Sequence, residues 1–582
     1  VHTTTTRVRR RWLGATVGAA VTASVLLGGA STAAAATDVS VKGVLHQGER
    51  GQVVYEAIKP ASWNGTLVLD LDFNNWNPAQ RQWFLSHGYA IGGNQRTQNE
   101  TAYELHDYVD NLVETRSLLM KAVSAADGEP SEPTRTIAFG ASRGSFVSRM
   151  AVEYRPDVFD AAVAFAGGGA GVIGSWLGKT DSVWALKQLV DPSSRLAISG
   201  LPDSPTGEYG ATYDQDVALG QLVGTASATP QGMARLVLAA AFEQATGWPS
   251  GPEPAATDYE TQGKAIAGSF AFGNPQFVLK EIEIMGGGPV TWNHDVDYAD
   301  LLQRSGALDR VQWWYDHAGL DLQADLATLA GAPRFAASPE AVSTVEGIGT
   351  FSGRTGGAPV FSVKTIGDSA DSVSLDTAYQ QTMRSAGNEN LLRSAFIERP
   401  GHSSQSLVEK LAAFQTVVDR LDTGEWPNTS AAALNTRAQQ IAATLPASAG
   451  DSRFIEYSPA PALRTWDFTN WGSYPYPAAT AASPGELTPS TRDSVTVAAG
   501  SAAPGSDVEV DLGEQRAGQW VSVWLYSPAR QLGGWLWVGA DGAVTVSLPA
   551  DATPAKHRLA VLDHEGTVLG WSDLKVTPPG HR

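Results

Sequence analysis

The chain has 582 residues, a formal net charge of −19 and no cysteine. That length exceeds one ordinary core, so two or three domains are expected. The acidic balance gives no phosphate-binding surface and so no nucleic-acid partner, and the missing cysteines exclude disulfides, a thiol nucleophile and a Cys-ligated metal.

Residues 1–36 read as a signal peptide. Arg7, Arg9, Arg10 and Arg11 form a basic head, residues 13–30 an uncharged apolar stretch, and Ala34-Ala35-Ala36 a small-x-small cleavage pattern. This predicts a secreted, extracellular chain with no stable membrane span after cleavage. An uncleaved anchor is the alternative, and the Ala/Gly-rich run is short for it. Arg9-Arg10-Arg11-Trp12-Leu13 also resembles a twin-arginine export signal.

Residues 38–58 alternate apolar and polar side chains around a break at 48–51, which predicts an antiparallel hairpin at a sheet edge. TLVLDL at 66–71 is a strand followed by the loop Asp72-Phe73-Asn74-Asn75. A helix is predicted at 78–87, a strand at 89–93 and a long amphipathic helix at 102–126. TRTIAFGASRGS at 134–145 puts Gly140-Ala141-Ser142-Arg143-Gly144 between a strand and a helix. Another buried strand covers 159–165. From 170 to 356 the runs are mainly helical (182–190, 233–245, 275–285, 298–318 and 324–330). Alternation resumes with strands at 359–365 and 391–398 and helices at 378–386 and 405–421, and 428–449 is partly helical.

Strands alternating with helices imply crossovers and a parallel sheet. A helical block inserted in such a sheet reads as a cap over its C-terminal edge, where these sheets bind ligands. The predicted organisation is therefore a core of 37–169 with 357–458, a cap of 170–356, a wrapping segment and linker over 459–492 (WGSYPYP at 471–477), and a small sandwich of about seven strands over 493–577.

Gly-x-Ser-x-Gly between strand and helix allows a sharp turn that exposes the serine hydroxyl. That hydroxyl needs a base, and the base needs a carboxylate to hold its tautomer. Asp368 directly follows the strand ending Ile366-Gly367, and His402 follows the next, after Pro400-Gly401. The order Ser142, Asp368, His402 is that of α/β-hydrolases. Asp371, three residues on, competes with Asp368 as the acid. Ser403 and Ser404 are expected to shape the histidine loop. For the oxyanion hole, one donor is the N–H of Arg143 and the other the N–H of Phe73 or Asn74. Asn74 or Asn75 could instead offer a side-chain amide or simply make a turn.

These motifs, with Asn64-Gly65-Thr66-Leu67-Val68-Leu69 and the Gly367-Asp368 turn, resemble the α/β-hydrolase superfamily over residues 63–421. The large cap and the export signal loosely resemble tannase/feruloyl-type esterases and prolyl-oligopeptidase-like hydrolases, and the C-terminal residues resemble Ig-like accessory modules. The resemblance implies a secreted serine hydrolase of carboxylic esters, acting on a small-molecule or polymer-linked ester with no metal or organic cofactor. A peptidase on the same scaffold and an inactive wall- or carbohydrate-binding protein are the alternatives. Contact of the C-terminal domain with cell wall or polysaccharide is a further expectation.

Three other features read as structural. Trp292-Asn293-His294-Asp295 with Asp297 and Asp300 matches no ligand spacing and is expected to be a solvated loop. Arg96 is expected in an ion pair rather than an anion clamp. Trp520, Trp524, Trp535, Trp537 and Trp571 are expected in the sandwich core, with a sugar-stacking platform as the alternative.

Overall fold

The computed structural model describes residues 37–48, 51–96, 103–204, 213–293, 296–464, 487–517, 520–526, 529–539, 541–563 and 567–578. The expected signal peptide, most of the wrapping segment with WGSYPYP, and His294 and Asp295 lie outside the described residues. The chain divides into two compact units, residues 1–100 with 110–136, and residues 101–109 with 137–582.

In the first unit, β1 (Val39–Gly48) and β2 (Gly51–Lys59) form the predicted antiparallel hairpin. Next come β3 (Thr66–Asp70), α1 (Pro78–Ser86) and β4 (Ala90–Asn94). The strand order is β1-β2-β4-β3, with β3 and β4 parallel and buried throughout. Helix α1 starts where sequence dictates. Pro78 sits in its first turn and the Asn77 side chain accepts the Gln80 N–H, occupying a donor that the helix cannot. Helix α2 (Leu105–Asp127) follows β4 in the chain.

The second unit takes up the chain within β5 (Arg135–Ala141), from Ile137, and continues with α3 (Arg143–Tyr154) and β6 (Ala161–Phe165). The cap comes next: α4 (Gly171–Val190), α5 (Asp214–Ser227), α6 (Pro230–Ala241), α7 (Tyr259–Gly273), α8 (Gln276–Gly286), α9 (Tyr298–Arg304), α10 (Leu308–Ala318), α11 (Leu322–Gly331) and α12 (Pro339–Gly349). The chain returns through β7 (Val360–Gly367), α13 (Leu375–Ser385), β8 (Leu392–Pro400), α14 (Leu407–Thr423), α15 (Ala431–Ala442) and β9 (Phe454–Ile455). Strands β5, β6, β7 and β8 are parallel neighbours in that order, and β9 adds antiparallel to β8. Their near-continuous apolar runs are those of a sheet covered on both faces.

The cap departs from expectation in three places. Helix α4 begins eleven residues earlier than the predicted 182, at Gly171, and is buried on nearly all sides, so no amphipathic stripe marks it. The run 298–318 is two helices, broken where Gly306 takes a φ of 75°. Helices α5, α7 and α12 were not among the predicted runs.

The C-terminal region is two β-sheets. One has the order β10 (Thr496–Val497), β12 (Asp507–Asp511), β15 (Ala543–Ser547). The other has β11 (Ser501–Ala502), β17 (Val568–Val576), β16 (Lys556–Leu562), β13 (Trp520–Tyr526), β14 (Arg530–Trp537). Alternate residues, among them Val508, Val510, Val521, Val523, Val544, Val546, Leu559 and Val561, form its core. Trp524 and Trp571 do not. They are buried in a separate cluster with Ala560 and Leu562, packed by Leu487. Trp524 alternates with Val523 and Leu525 along β13, so it faces away from that core. The expectation of core tryptophans is corrected for these two. The side chains of Trp520, Trp535 and Trp537 lie outside the described set.

The architecture is thus an α/β-hydrolase sheet with a large, mainly helical cap insertion and a separate β-rich C-terminal region. No helix among the described residues is long and apolar enough to cross a membrane.

Candidate active site

Ser142 stands between β5 and α3 with φ 56° and ψ −124°. A non-glycine residue there is strained by roughly 1–3 kcal/mol, and such strain persists only where the surroundings impose it. Small neighbours make the turn possible. A Cβ on Gly140 would strike the Gly144 carbonyl, and one on Gly167 would overlap Ser145 Oγ. The turn is tied down by the Ser142 N–H donating to Phe165 O at 2.9 Å, and by the Ser145 N–H and hydroxyl donating to Ser142 O at 2.9 and 2.7 Å. Arg149, fully buried, donates to Ser145 O and Oγ, each at 3.4 Å, and to Ser362 Oγ at 2.8 Å. Ala166 and Ser403 also have positive φ, at 46° and 56°. All three residues lie just past strand ends, on the side where the site forms.

Strands β7 and β8 bring Asp368 and His402 together. Gly367 pairs with Pro400 across a register shift, the Gly401 N–H donates to Gly367 O at 2.7 Å, and Thr365 Oγ1 donates to Gly401 O at 3.0 Å. The loops after the two strands therefore run side by side. His402 Nδ1 lies 2.9 and 3.0 Å from the two Asp368 oxygens, and His402 Nε2 lies 2.7 Å from Ser142 Oγ. With Nδ1–H donating to the carboxylate, Nε2 is left to accept the serine proton. Ser404 Oγ donates to Pro400 O at 2.6 Å and shapes this loop, whereas Ser403 Oγ is buried without a partner.

Asp368 is 2% exposed. Burial alone would raise its carboxyl, but the His402 ring, its hydrogen bond and Lys364 outweigh burial and hold it below its ordinary value. Asp368 Oδ1 also accepts the N–H groups of Ala370 and Asp371 at 2.9 and 3.0 Å. The competing Asp371 side chain instead faces Lys179, 3.8 Å away. Lys179, from α4, donates to Gly273 O at 2.7 Å and to Ala370 O, so the cap grips the acid loop directly. Lys364 and Lys179 escaped the sequence reading. A lysine inside the apolar run Val360-Phe361-Ser362-Val363 was the visible signal for the first.

Arg143 is the first residue of α3, where a backbone N–H has no acceptor within the helix. In the first unit, Phe73 and Asn74 belong to a single 3-10 turn after β3. Within that turn the Asn75 and Trp76 N–H groups bond Asp72 O and Phe73 O, while those of Phe73 and Asn74 find no acceptor in it. The Asn74 side-chain amide donates to Gln95 Oε1 at 3.0 Å. Arg96 donates to Asp72 through Nε at 2.7 Å and also through Nη2, the expected ion pair.

A recess is lined by Asp368, Ser369 and Ser372 together with the cap residues Lys179, Glu243 and Phe270. Neither Ser142 nor His402 lines it. The 292–300 segment is structural where described. Asn293 donates to Tyr298 Oη at 2.9 Å, Asp297 caps α9, and Asp300 pairs with Arg304 at 2.8 Å. Among the described residues, no group of three or more His, Asp or Glu side chains could hold a metal ion.

No protein-family model matches the chain. An o-phthalyl amidase of Xanthobacter agilis is 31% identical over 409 residues, which cover 65% of this chain and 87% of that protein. Among solved structures, an esterase from Aspergillus oryzae aligns with a TM-score of 0.33 at 14% identity, covering 67% of this chain and 81% of that one. Feruloyl esterase B of the same organism aligns with a TM-score of 0.32 at 15% identity, with the same coverage. By its likeness to the amidase over most of that protein's length, the chain belongs to the hydrolase family that includes the o-phthalyl amidase of Xanthobacter agilis.

Proposed function

We propose that the protein is a secreted serine hydrolase that opens carboxylic esters through an acyl-enzyme, with amides of the same acyl groups as a second substrate class. The observation that carries this reading is the 2.7 Å contact of His402 Nε2 with Ser142 Oγ, continued at 2.9 Å from Nδ1 to Asp368. His402 takes the serine proton as Ser142 attacks the acyl carbon. The N–H of Arg143 receives the developing oxyanion. Asp368 stabilises the imidazolium, which then protonates the departing alcohol or amine, and water repeats the sequence on the acyl-enzyme. The amide reading is favoured by the amidase relative.

A fluorophosphonate probe tests the nucleophile. It labels the wild type, and Ser142→Ala abolishes labelling. An unlabelled wild type, or equal labelling of the variant, returns the protein to the wall- or carbohydrate-binding alternative. Rates on p-nitrophenyl esters and aminoacyl p-nitroanilides, measured in parallel, separate esterase from peptidase.

The basic head and apolar run at the N-terminus support secretion, with a twin-arginine route among the options. The C-terminal sheets are read as an Ig-like accessory module for wall or polysaccharide. Removing the residues after Thr491 leaves activity on a soluble ester within about tenfold of the full chain if that region is modular.

A further inference from the structure

Arg143 has a second feature besides its backbone N–H. Its side chain is only 13% exposed, yet its donors are poorly occupied. Nη1 reaches Tyr108 Oη at 3.4 Å, the guanidinium lies 5.0 Å over the Tyr103 ring, and Nη2 faces Glu281 Oε2 at 3.8 Å, beyond hydrogen-bond reach. Nε is buried with no partner. A guanidinium carries five N–H donors in a rigid fork, and here one long hydrogen bond engages them.

An unpartnered buried Nε recurs at Arg149, Arg310 and Arg420, but Arg149 and Arg399 engage their terminal nitrogens more closely than Arg143 does. Arg149, six residues further along the same helix, bonds Ser145 and Ser362 and lies 3.6 Å from Asp376. Arg399 bonds both Glu409 oxygens at 3.2 and 3.1 Å and the Asp451 carbonyl at 2.7 Å. Leaving buried donors unmade is costly, most of all for a charged group.

An anion completes the arrangement at Arg143. The planar fork matches a carboxylate, and Arg143 directly follows Ser142 in the chain. In a chain with a net charge of −19, the overall field repels anionic substrates, so a local cation must supply the attraction. A phthalyl group joined to its leaving group through one carbonyl carries a second carboxylate ortho to it, the substrate class named for the family relative.

We infer that Arg143 is the specificity-determining anchor for a carboxylate on the acyl group of the substrate, with Glu281 of α8 as the counter-charge that this carboxylate displaces. The inference rests on the reading of Ser142 as the nucleophile. Tyr103 orients the guanidinium through its ring face.

Binding without turnover tests it. Monomethyl phthalate and dimethyl phthalate have the same skeleton and differ in one negative charge. Titrated calorimetrically into the full chain carrying Ser142→Ala, the monoester is expected to bind at least about tenfold more tightly than the diester, the worth of one charge-assisted fork. Adding Arg143→Gln brings the two to within about twofold, and Arg143→Lys keeps part of the preference. Glu281→Gln, which leaves the arginine in place, tightens the monoester several-fold by removing its competitor. Equal binding of the two esters, or a preference unchanged by Arg143→Gln, overturns the anchor. Fluorophosphonate labelling of the wild type reads the nucleophile separately, so failure of the hydrolase reading is distinguishable from failure of the anchor.

Discussion

Asp368 in the loop after β7 and Glu346 on α12 of the cap are both buried carboxyl groups, 2% and 7% exposed, and the protein treats them in opposite ways. Asp368 receives two backbone N–H groups and the His402 ring, with Lys364 behind it, and stays charged. Glu346 has a buried oxygen with no partner at all, and burial pushes it up to about 8. Glu243 and Glu281, also in the cap, are pushed up to about 7 by burial against the pull of Lys179 and Arg143. Burial is common to all four. The convergence of donors on Asp368 is what sets it below its ordinary value while the others lie above theirs.

The sharpest way to break this contrast is to remove the charge from Asp368. Asp368→Asn is expected to lower kcat by roughly 10⁴-fold, because the imidazole loses its tautomer and the imidazolium its support. Asp371→Asn, which disturbs only the contact with Lys179, is expected to cost far less. Steady-state rates on one ester decide between them, and equal losses would move the acid role to the loop as a whole.

The cap side is tested by stability. A carboxyl held well above its unfolded value binds more protons in the folded state, so stability is lost as pH rises from the unfolded value towards the folded one. For Glu346 that window runs from about 4.5 to about 8. Glu346→Gln is expected to flatten the fall between pH 5 and pH 8 by about 2 to 4 kcal/mol, read as the difference between variant and wild-type denaturant midpoints at the two pH values. An unchanged slope would mean that Glu346 is charged in the folded state.

The same contrast explains what could be read from sequence. Ser142, Asp368 and His402 were legible because each follows a strand end, and chain order along a parallel sheet carries spatial meaning. The choice between Asp368 and Asp371 was not, since both leave the same strand and only the turn of the loop separates them. Arg143 facing Glu281 was invisible. The two are far apart in the chain, and α8 joins them through cap packing that no periodicity reports. Helix α4 was half missed because it is buried on nearly every side and carries polar residues such as Lys179 and Asp181 within its apolar run, with Gly174 and Gly178 interrupting the pattern. Trp524 was misplaced because β13 is apolar on both faces, so alternation did not say which face met the other sheet.

The crowding around Gly140 and Gly167 reaches into the protein's capacity to change. Any side chain at either position collides with the Gly144 carbonyl or with Ser145 Oγ, so in a saturation library these positions should tolerate no replacement. Adaptation to new substrates must then be written elsewhere, in the helices between β6 and β7 and at Arg143. An engineer randomising those positions while sparing the two glycines would be leaving the turn that carries Ser142 intact.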